Sequence, residues 1–400
     1  MKILHCADFH TRDKDIEESK KVLNYLVNYA AETLPDLIIN AGDIFDSQNV
    51  KLDSPAAKLT FEILYQLAEI APVLILIGTP SHDGKAIEIA RLIKAQYPVY
   101  VSTMPEQLYF TEQKFLRIPP DRDLEIKIDA VISCIPTPTK QYFQGQGTIM
   151  ETDQQIGDAM TAMFSGFASM ASEFDAPHIG VGHFQIGGAF VSETQQLIGR
   201  DIEVSRQQIE AGNFDLVCLG HIHFAQQIGN NIFYSGSIYP KTYGETEDKG
   251  FYIHYLSKIE PGANNFVKVP HRKMVKFNFD FSGGADIANI GMGIGEIKDD
   301  FSGANIKVNV KIYEDEIGEL DKELMLERFT TAGAKTVDLN IIRVPRENVR
   351  SEKLLSLTTL PDKIRERAKL TGDVVGDSVI KKAELLESQN QEQVIDGLKL

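Results

Sequence analysis

Eight short apolar runs recur through the first 260 residues: KILHCA, DLIINA, PVLILIG, DAVISCI, HIGVG, FDLVCLG, NIFYSG and GFYIHYL. Each has the length of a strand. Most are continuously apolar rather than alternating, the pattern of strands covered on both faces. Amphipathic stretches lie between the early runs. Residues 16–34 set Val22, Leu23, Leu26, Val27 and Ala30 at helical spacing, and residues 56–70 do the same with Leu59, Ile63, Leu64 and Leu67. Strands separated by helices restrict this region to a layered α/β architecture with βαβ units. A chain of 400 residues, 43% hydrophobic and 24% charged, is also too long for one small core, so two or three domains are expected.

The residues just past each run carry the chemistry. KILHCA leads into Asp8-Phe9-His10, DLIINA into Gly42-Asp43 with Asp46 soon after, and PVLILIG into Thr79-Pro80-Ser81-His82-Asp83. HIGVG ends at His183, and FDLVCLG leads into His221-Ile222-His223. These are strand C-terminal ends, where open α/β sheets bind ligands. Six of the nine histidines fall at or beside them, counting His5. Histidine and aspartate are depleted from interiors unless paired or ligating a metal. A lone DxH or HxH is more often a structural histidine; five such endings in order are a metal signal.

Mixed carboxylate and imidazole donors suit Mn, Fe or Zn better than Ca or Mg. In DxH and HxH the intervening residue lets both side chains of an extended segment point the same way. With a shared carboxylate the set can hold two ions roughly 3.5–4 Å apart, the arrangement used for in-line displacement at phosphorus.

The ordered set resembles that of the calcineurin-like metallophosphoesterases. More narrowly it resembles the SbcD-type DNA exonuclease subunits of the meiotic-recombination nuclease family, over residues 1 to about 255. The narrower likeness is carried by Gly42-Asp43-Ile44-Phe45-Asp46, by Gly220-His221-Ile222-His223, and above all by YSGSIYPKTYGETEDKGFY at 234–252, which is similar to the family's GS…E…KG segment.

The resemblance implies an α/β fold with a layered β-sandwich flanked by helices, a small α+β capping domain and a helical C-terminal tail. It further implies two divalent ions, Mn2+ above others. One would be held by Asp8, His10, His223 and a shared Asp43; the other by Asp43, His183, His221 and the residue before His82. The family has the Asn of a GNHD motif there, whereas this chain reads Pro80-Ser81-His82-Asp83. Ser81 is thus expected to give a weaker second site. His82 matches the family's catalytic histidine, with Asp83 expected to orient its ring.

The implied activity is manganese-dependent 3′–5′ exonuclease and single-strand endonuclease action on DNA, within an SbcC-SbcD-type repair complex. The expected domains are a nuclease domain at 1–258, a DNA-capping domain at 266–342 and a helical segment at 348–400 that docks on the coiled coil of an SbcC-type ATPase. A homodimer is also expected. The metal motifs alone equally fit a metallophosphatase or a small-molecule phosphodiesterase, against which the GS…E…KG segment counts. A non-catalytic scaffold has only the Ser81 departure in its favour.

Several readings rest on the residues alone. The segment SKIEPGANN after Leu256 looks like a domain boundary, and residues 140–177 like a helix followed by a mobile loop. Cys6, Cys134 and Cys218 sit in apolar runs and read as buried hydrophobes in a reducing, cytoplasmic protein. No apolar run reaches the 18–20 residues or so of a membrane span. His5 reads as a strand histidine near the site, and His178, His254 and His271 as structural or surface residues. Arg12, Lys14 and Lys241 lie near the site and could as well be solvated as touch DNA. The formal charge of −16 makes general attraction to a polyanion unexpected, and residues 343–400, with 11 basic and 10 acidic side chains, contribute almost none of it.

Overall fold

Continuous apolar runs are explained by burial on both faces. In the computed structural model β1 (Lys2–Cys6) sends Ile3 and Ala7 toward one layer and Leu4 and Cys6 toward another. Described are all residues except 121–125, 139–148, 193–194, 196–201, 257–262, 283–300, 346–353, 355 and 389–400. The next strands are β2 (Leu37–Asn40), β3 (Val73–Leu76), β4 (Val99–Ser102), β5 (Glu106–Thr111), β6 (Lys114–Leu116), β7 (Ala130–Ile135) and β8 (His178–His183). A two-residue pair, β9 (Gln185–Ile186) and β10 (Glu203–Val204), precedes β11 (Leu216–Gly220), β12 (Gln226–Ile228), β13 (Ile232–Tyr234), β14 (Gly250–Tyr255) and β15 (Asn264–Lys268).

They form two large sheets, ordered β15-β14-β1-β2-β3-β4 and β12-β13-β11-β8-β7-β5-β6. Ile3, Leu37, Ile39, Leu74, Leu108, Ile132, Val181 and Cys218 fill the layer between them. The outer face of the first sheet is covered by α1 (Ile16–Thr33) and α2 (Pro55–Ala68) through Val22, Leu26, Ile63 and Leu64. Ser54 caps α2 by accepting the Ala57 N–H, and Pro55 starts it, where its missing N–H costs nothing. The outer face of the second sheet packs on α3 (Ile149–Ala171) and α4 (Arg206–Glu210) through Met160, Phe164 and Ile209. All three cysteines are buried and free.

Two polar side chains sit in the inter-sheet layer. His5 Nε2 lies 3.1 Å from the Leu219 carbonyl, which only accepts, so it carries the hydrogen. His254 Nδ1 donates to Asn264 Oδ1 at 2.7 Å, and His5 Nδ1 faces His254 Nε2 at 3.3 Å.

The structure departs from two expectations. α3 leads within a short turn into β8, so no long loop separates them. β15 pairs antiparallel with β14 in the first sheet, so Asn264 and Asn265, read as the end of a domain boundary, begin a strand of this sheet, and residues 257–262 of that reading lie outside the described residues. The polar stretch Asn264-Asn265 hides this strand because it forms the sheet's edge, where one side needs no cover. By its internal contacts the chain forms two compact units. One compact unit comprises Met1–Asp280, Asp286–Val310 and Asp321–Ile341, the other Phe281–Ala285, Lys311–Leu320 and Ile342–Leu400.

A further sheet has the order β16 (Met274–Asp280), β17 (Asn305–Tyr313), β18 (Thr336–Val344). β17 alternates strictly, burying Ile306, Val308, Val310 and Ile312, the mark of a sheet with one covered face. Near the C-terminus the helices Leu360–Thr371 and Asp377–Ser388 pack together, with Arg365 3.5 Å from Glu384. Among the described residues no helix is long and apolar enough to cross a membrane.

Candidate metal centre

β1, β2 and β3 run parallel in one sheet, as do β8 and β11 in the other. Their C-terminal ends therefore deliver their side chains to common ground. Beyond β1 the Asp8 and His10 amides donate to the carbonyls of Gly42 and Asp43, both at 2.9 Å, so two strand ends are stapled before either carries chemistry. Asp8, His10, Asp43 and His221 all have positive φ, from 43° to 85°. Such backbone is costly for non-glycine residues and persists where surrounding structure over-determines it, often at functional sites. Gly78, at the end of β3, is required for a different reason: a Cβ there would collide with the backbone and carboxylate of Asp43.

Two donor sets result. Asp8, His10 and His223 present ligand atoms within 4.8 Å of one another, and so do Asp8, Asp43 and His183. His10 Nε2 lies 3.1 Å from His223 Nε2 and 3.8 Å from both Asp8 Oδ1 and Asp43 Oδ2. Asp43 Oδ2 is 3.2 Å from His183 Nε2, so Asp43 reaches both sets. The His183 ring is fixed by Nδ1 donating to the Ala41 carbonyl at 2.6 Å, which turns Nε2 inward toward Asp43. The His221 ring stands edge-on to His183 with centroids 5.3 Å apart, and the His221 backbone N–H donates to both Asp8 oxygens at 3.1 Å.

Electrostatics favours cations here. Burial, then the charge of Asp43, pushes the Asp8 carboxyl up. Burial opposes ionisation at Asp43 too, but His183 and His82 hold that carboxyl down at about 2. Burial, then Lys241, keeps His10 neutral, and burial holds His221 at about 3. His10 and His221 are thus neutral donors, whereas Asp43 holds His183 up at about 9, so a cation bound there would take the place of the His183 proton. The residues fit divalent ions.

A model of the calcineurin-like phosphoesterases matches residues 1–225, more than half of the chain. The chain belongs to the calcineurin-like phosphoesterase family. It is a metal-dependent phosphodiesterase of that family. It is 25% identical over 298 residues to the SbcD subunit of the nuclease SbcCD from Staphylococcus epidermidis, an alignment covering 70% of this chain and 73% of that protein. A solved structure aligned over 67% of this chain and 98% of its own has 13% identity and a TM-score of 0.37, which carries no argument.

Within this phosphoesterase site, two sequence-based expectations need correction. Ser81 is exposed, and its carbonyl accepts the Gln48 N–H. Thr79 instead faces the second donor set: its N–H donates to Asp43 Oδ1 at 2.6 Å, and its hydroxyl lies 3.1 Å from Asp43 Oδ2 and 3.3 Å from His183 Nε2. The reason is geometric. Thr79 directly follows the strand-end glycine, while Pro80 and Ser81 form a turn that the His82 and Asp83 amides close onto the Thr79 carbonyl.

Asp83 does not orient His82. Its carboxylate accepts three backbone amides, Ile44 and Phe45 on one oxygen and Gly78 on the other, at 2.9–3.1 Å. It thereby ties the β2 and β3 ends together. The His82 ring is held instead by Nδ1 donating to the Asp46 carbonyl at 2.9 Å, beside His10 with centroids 4.6 Å apart.

Sequence reasoning missed the residues that support His223. Glu245 Oε1 stands 3.7 Å from His223 Nδ1, while Lys249 Nζ donates to the His223 carbonyl at 2.9 Å and to Glu245 and Glu247, both at 2.7 Å. Ser237 donates to Glu245 at 3.1 Å. Glu245 and Lys249 are almost fully buried. Burial opposes the Glu245 charge, but His223 and Lys249 hold its carboxyl far below the usual range. The GS…E…KG pattern was the available signal, read only as a family mark. Of the nearby cations, Arg12 and Lys241 pair with Asp46 at 3.3 and 3.1 Å, while Lys14 is exposed. Burial pushes the Lys241 ammonium down to about 8.

Proposed function

We propose that this phosphodiesterase is a DNA nuclease, manganese-dependent, with 3′–5′ exonuclease and single-strand endonuclease action. The observation that carries the reading is the Ser237–Lys249 segment. The stretch that resembles the SbcD-type nucleases is built into the centre, with Glu245 and Lys249 bracketing His223 at ring and carbonyl. The likeness to an SbcD subunit of the nuclease SbcCD supports it.

In this reading Asp8, His10, His223 and Asp43 hold one ion, and Asp43, His183, His221 and Thr79 the other. When bound, the ions supply the positive charge that draws in a phosphodiester and acidifies water. The protein's own groups do the rest. Gln195 accepts the His223 N–H at 2.9 Å and donates to the His221 carbonyl, fixing the GHxH turn. His82, with Nδ1 committed to Asp46, presents Nε2 to take or give a proton at the leaving oxygen. Asp83 ties down the loop that carries His82 beside Asp43.

The C-terminal helix pair exposes Leu360, Leu370, Val379, Leu385 and Leu386, which suits docking on the coiled coil of an SbcC-type ATPase. A homodimer through the helices of the phosphoesterase region is part of the same reading; Leu52 just before α2 and Tyr65 on it are exposed there. The test compares labelled double- and single-stranded DNA with a nucleoside monophosphate and a cyclic nucleotide, in Mn2+, with and without a co-expressed SbcC-type partner. DNA cleavage lost in His82→Ala, with Mn2+ binding retained, is the expected result. Turnover confined to the small substrates would replace the nuclease reading with a small-molecule phosphodiesterase.

A further inference from the structure

We propose that Phe190, backed by Phe224, is a stacking platform for an unpaired nucleobase of the substrate at the edge of the metal centre. The proposal rests on the nuclease reading above. Phe190 is 60% exposed, yet it is not loosely held. Its N–H donates to Gln226 Oε1 at 2.9 Å, and its carbonyl accepts from Gln226 Nε2 at 2.7 Å. Its ring meets Phe224 edge to face, with centroids 4.7 Å apart at 61°. Phe224 directly follows the ion-binding His223.

The rest of this loop is fastened to the same turn. Gln195 grips the backbone of His221 and His223, and Ser192 donates to Glu247 at 3.0 Å. Glu247 in turn shares Lys249 with Glu245. Phe190, Ser192 and Gln195 are each bonded to this turn or to a residue that supports it, and Phe190 is thereby held in fixed relation to the metal-binding turn. An exposed phenyl gains nothing from water. Fixed beforehand, it loses little freedom on binding a flat ring.

Charge gives the platform its purpose. The chain carries −16, and Arg12 and Lys241 beside the site are committed to carboxylates. Attraction to the phosphate backbone is correspondingly small, whereas stacking of a base on an aromatic face needs no charge and tolerates any sequence. An unpaired base also matches a site that cuts single strands and chain ends.

The test is steady-state hydrolysis, in Mn2+, of a single-stranded oligonucleotide and of bis(p-nitrophenyl) phosphate, which has no base to stack. Phe190→Ala is expected to raise KM for the oligonucleotide about 5- to 100-fold with a smaller change in kcat. The selectivity for oligonucleotide over the small diester should fall by a similar factor. Phe190→Trp should restore the oligonucleotide KM and Phe190→Leu should not. The Mn2+ binding isotherm and melting temperature report that each variant is folded. An unchanged oligonucleotide KM in Phe190→Ala, or rescue by Leu as good as by Trp, overturns the platform alone. A wild-type protein that hydrolyses the diester and no oligonucleotide overturns the nuclease reading and the platform with it.

Discussion

At the scale of single residues, the centre is decided by which atom each side chain turns inward. Thr79 and Ser81 are two positions apart and both carry a hydroxyl, but only the Thr79 hydroxyl reaches Asp43 and His183. Mn2+ titration, followed by calorimetry or by the spectrum of the free ion, should show Thr79→Ala weakening one of two ion sites while Ser81→Ala leaves both as they are. Glu245 acts through the His223 ring. Glu245→Gln keeps the shape but removes the charge, and is expected to lower ion affinity about 10- to 100-fold, as loss of an outer carboxylate does at other metal sites. Lys249→Met leaves Glu245 and Glu247 without their buried cation, so it should cost about 3–5 kcal/mol in a denaturant titration. Adding Glu245→Gln to Lys249→Met should recover part of that loss, because the stranded charge goes with it.

At the scale of elements, the two sheets are joined by more than apolar packing: His5 on β1 donates to the Leu219 carbonyl on β11, in the other sheet, and His254 on β14 lies beside it, both as neutral rings. Burial holds His254 down at about 4 and His5 well below 6.5. Unfolding returns each ring to an ordinary pKa near 6.5, so between pH 6.5 and 4 the unfolded chain binds more protons. The contribution is whole above pH 6.5 and is lost as pH falls toward 4. For His254 the loss is on the order of 3 kcal/mol, at about 1.4 kcal/mol per pKa unit. The urea midpoint should drop between pH 7 and pH 5, and His254→Gln should make that drop shallower.

At the scale of the whole molecule, ion binding and folding are coupled. Buried Asp8 and Asp43 crowd each other in a site made by strand ends from both sheets, so ions that bind only the folded chain relieve a native-state cost. Mn2+ at 100 times its dissociation constant should add about 2.7 kcal/mol per site. A melting temperature several degrees higher in Mn2+ than in EDTA is the expected outcome, and it should be smaller in Asp43→Asn. If the proposed nuclease reading holds, the net charge of −16 sets a weak affinity for DNA that falls further with salt.

The layered α/β class and the candidate donors at the strand ends were legible in the sequence alone. Both-face burial leaves continuous apolar runs in KILHCA and DLIINA, and parallel strands must release their next residues, Asp8 and Asp43 among them, along one edge. Local chain chemistry is enough for that. Tertiary structure alone decided which neighbour each group serves. Asp83 lies next to His82 in sequence but accepts three amides, two past the end of β2 and one past the end of β3, because a buried carboxylate goes where the most donors converge. Thr79 rather than Ser81 faces Asp43 and His183, because the turn at Pro80 leaves Ser81 exposed. Glu245 and Lys249 gained their meaning from His223, more than twenty residues earlier. The pairing of β15 with β14 was hidden because an edge strand needs cover on fewer sides and can spell itself in asparagine. Contacts between segments far apart in the chain depend on the closed packing of both sheets, and no local pattern encodes them.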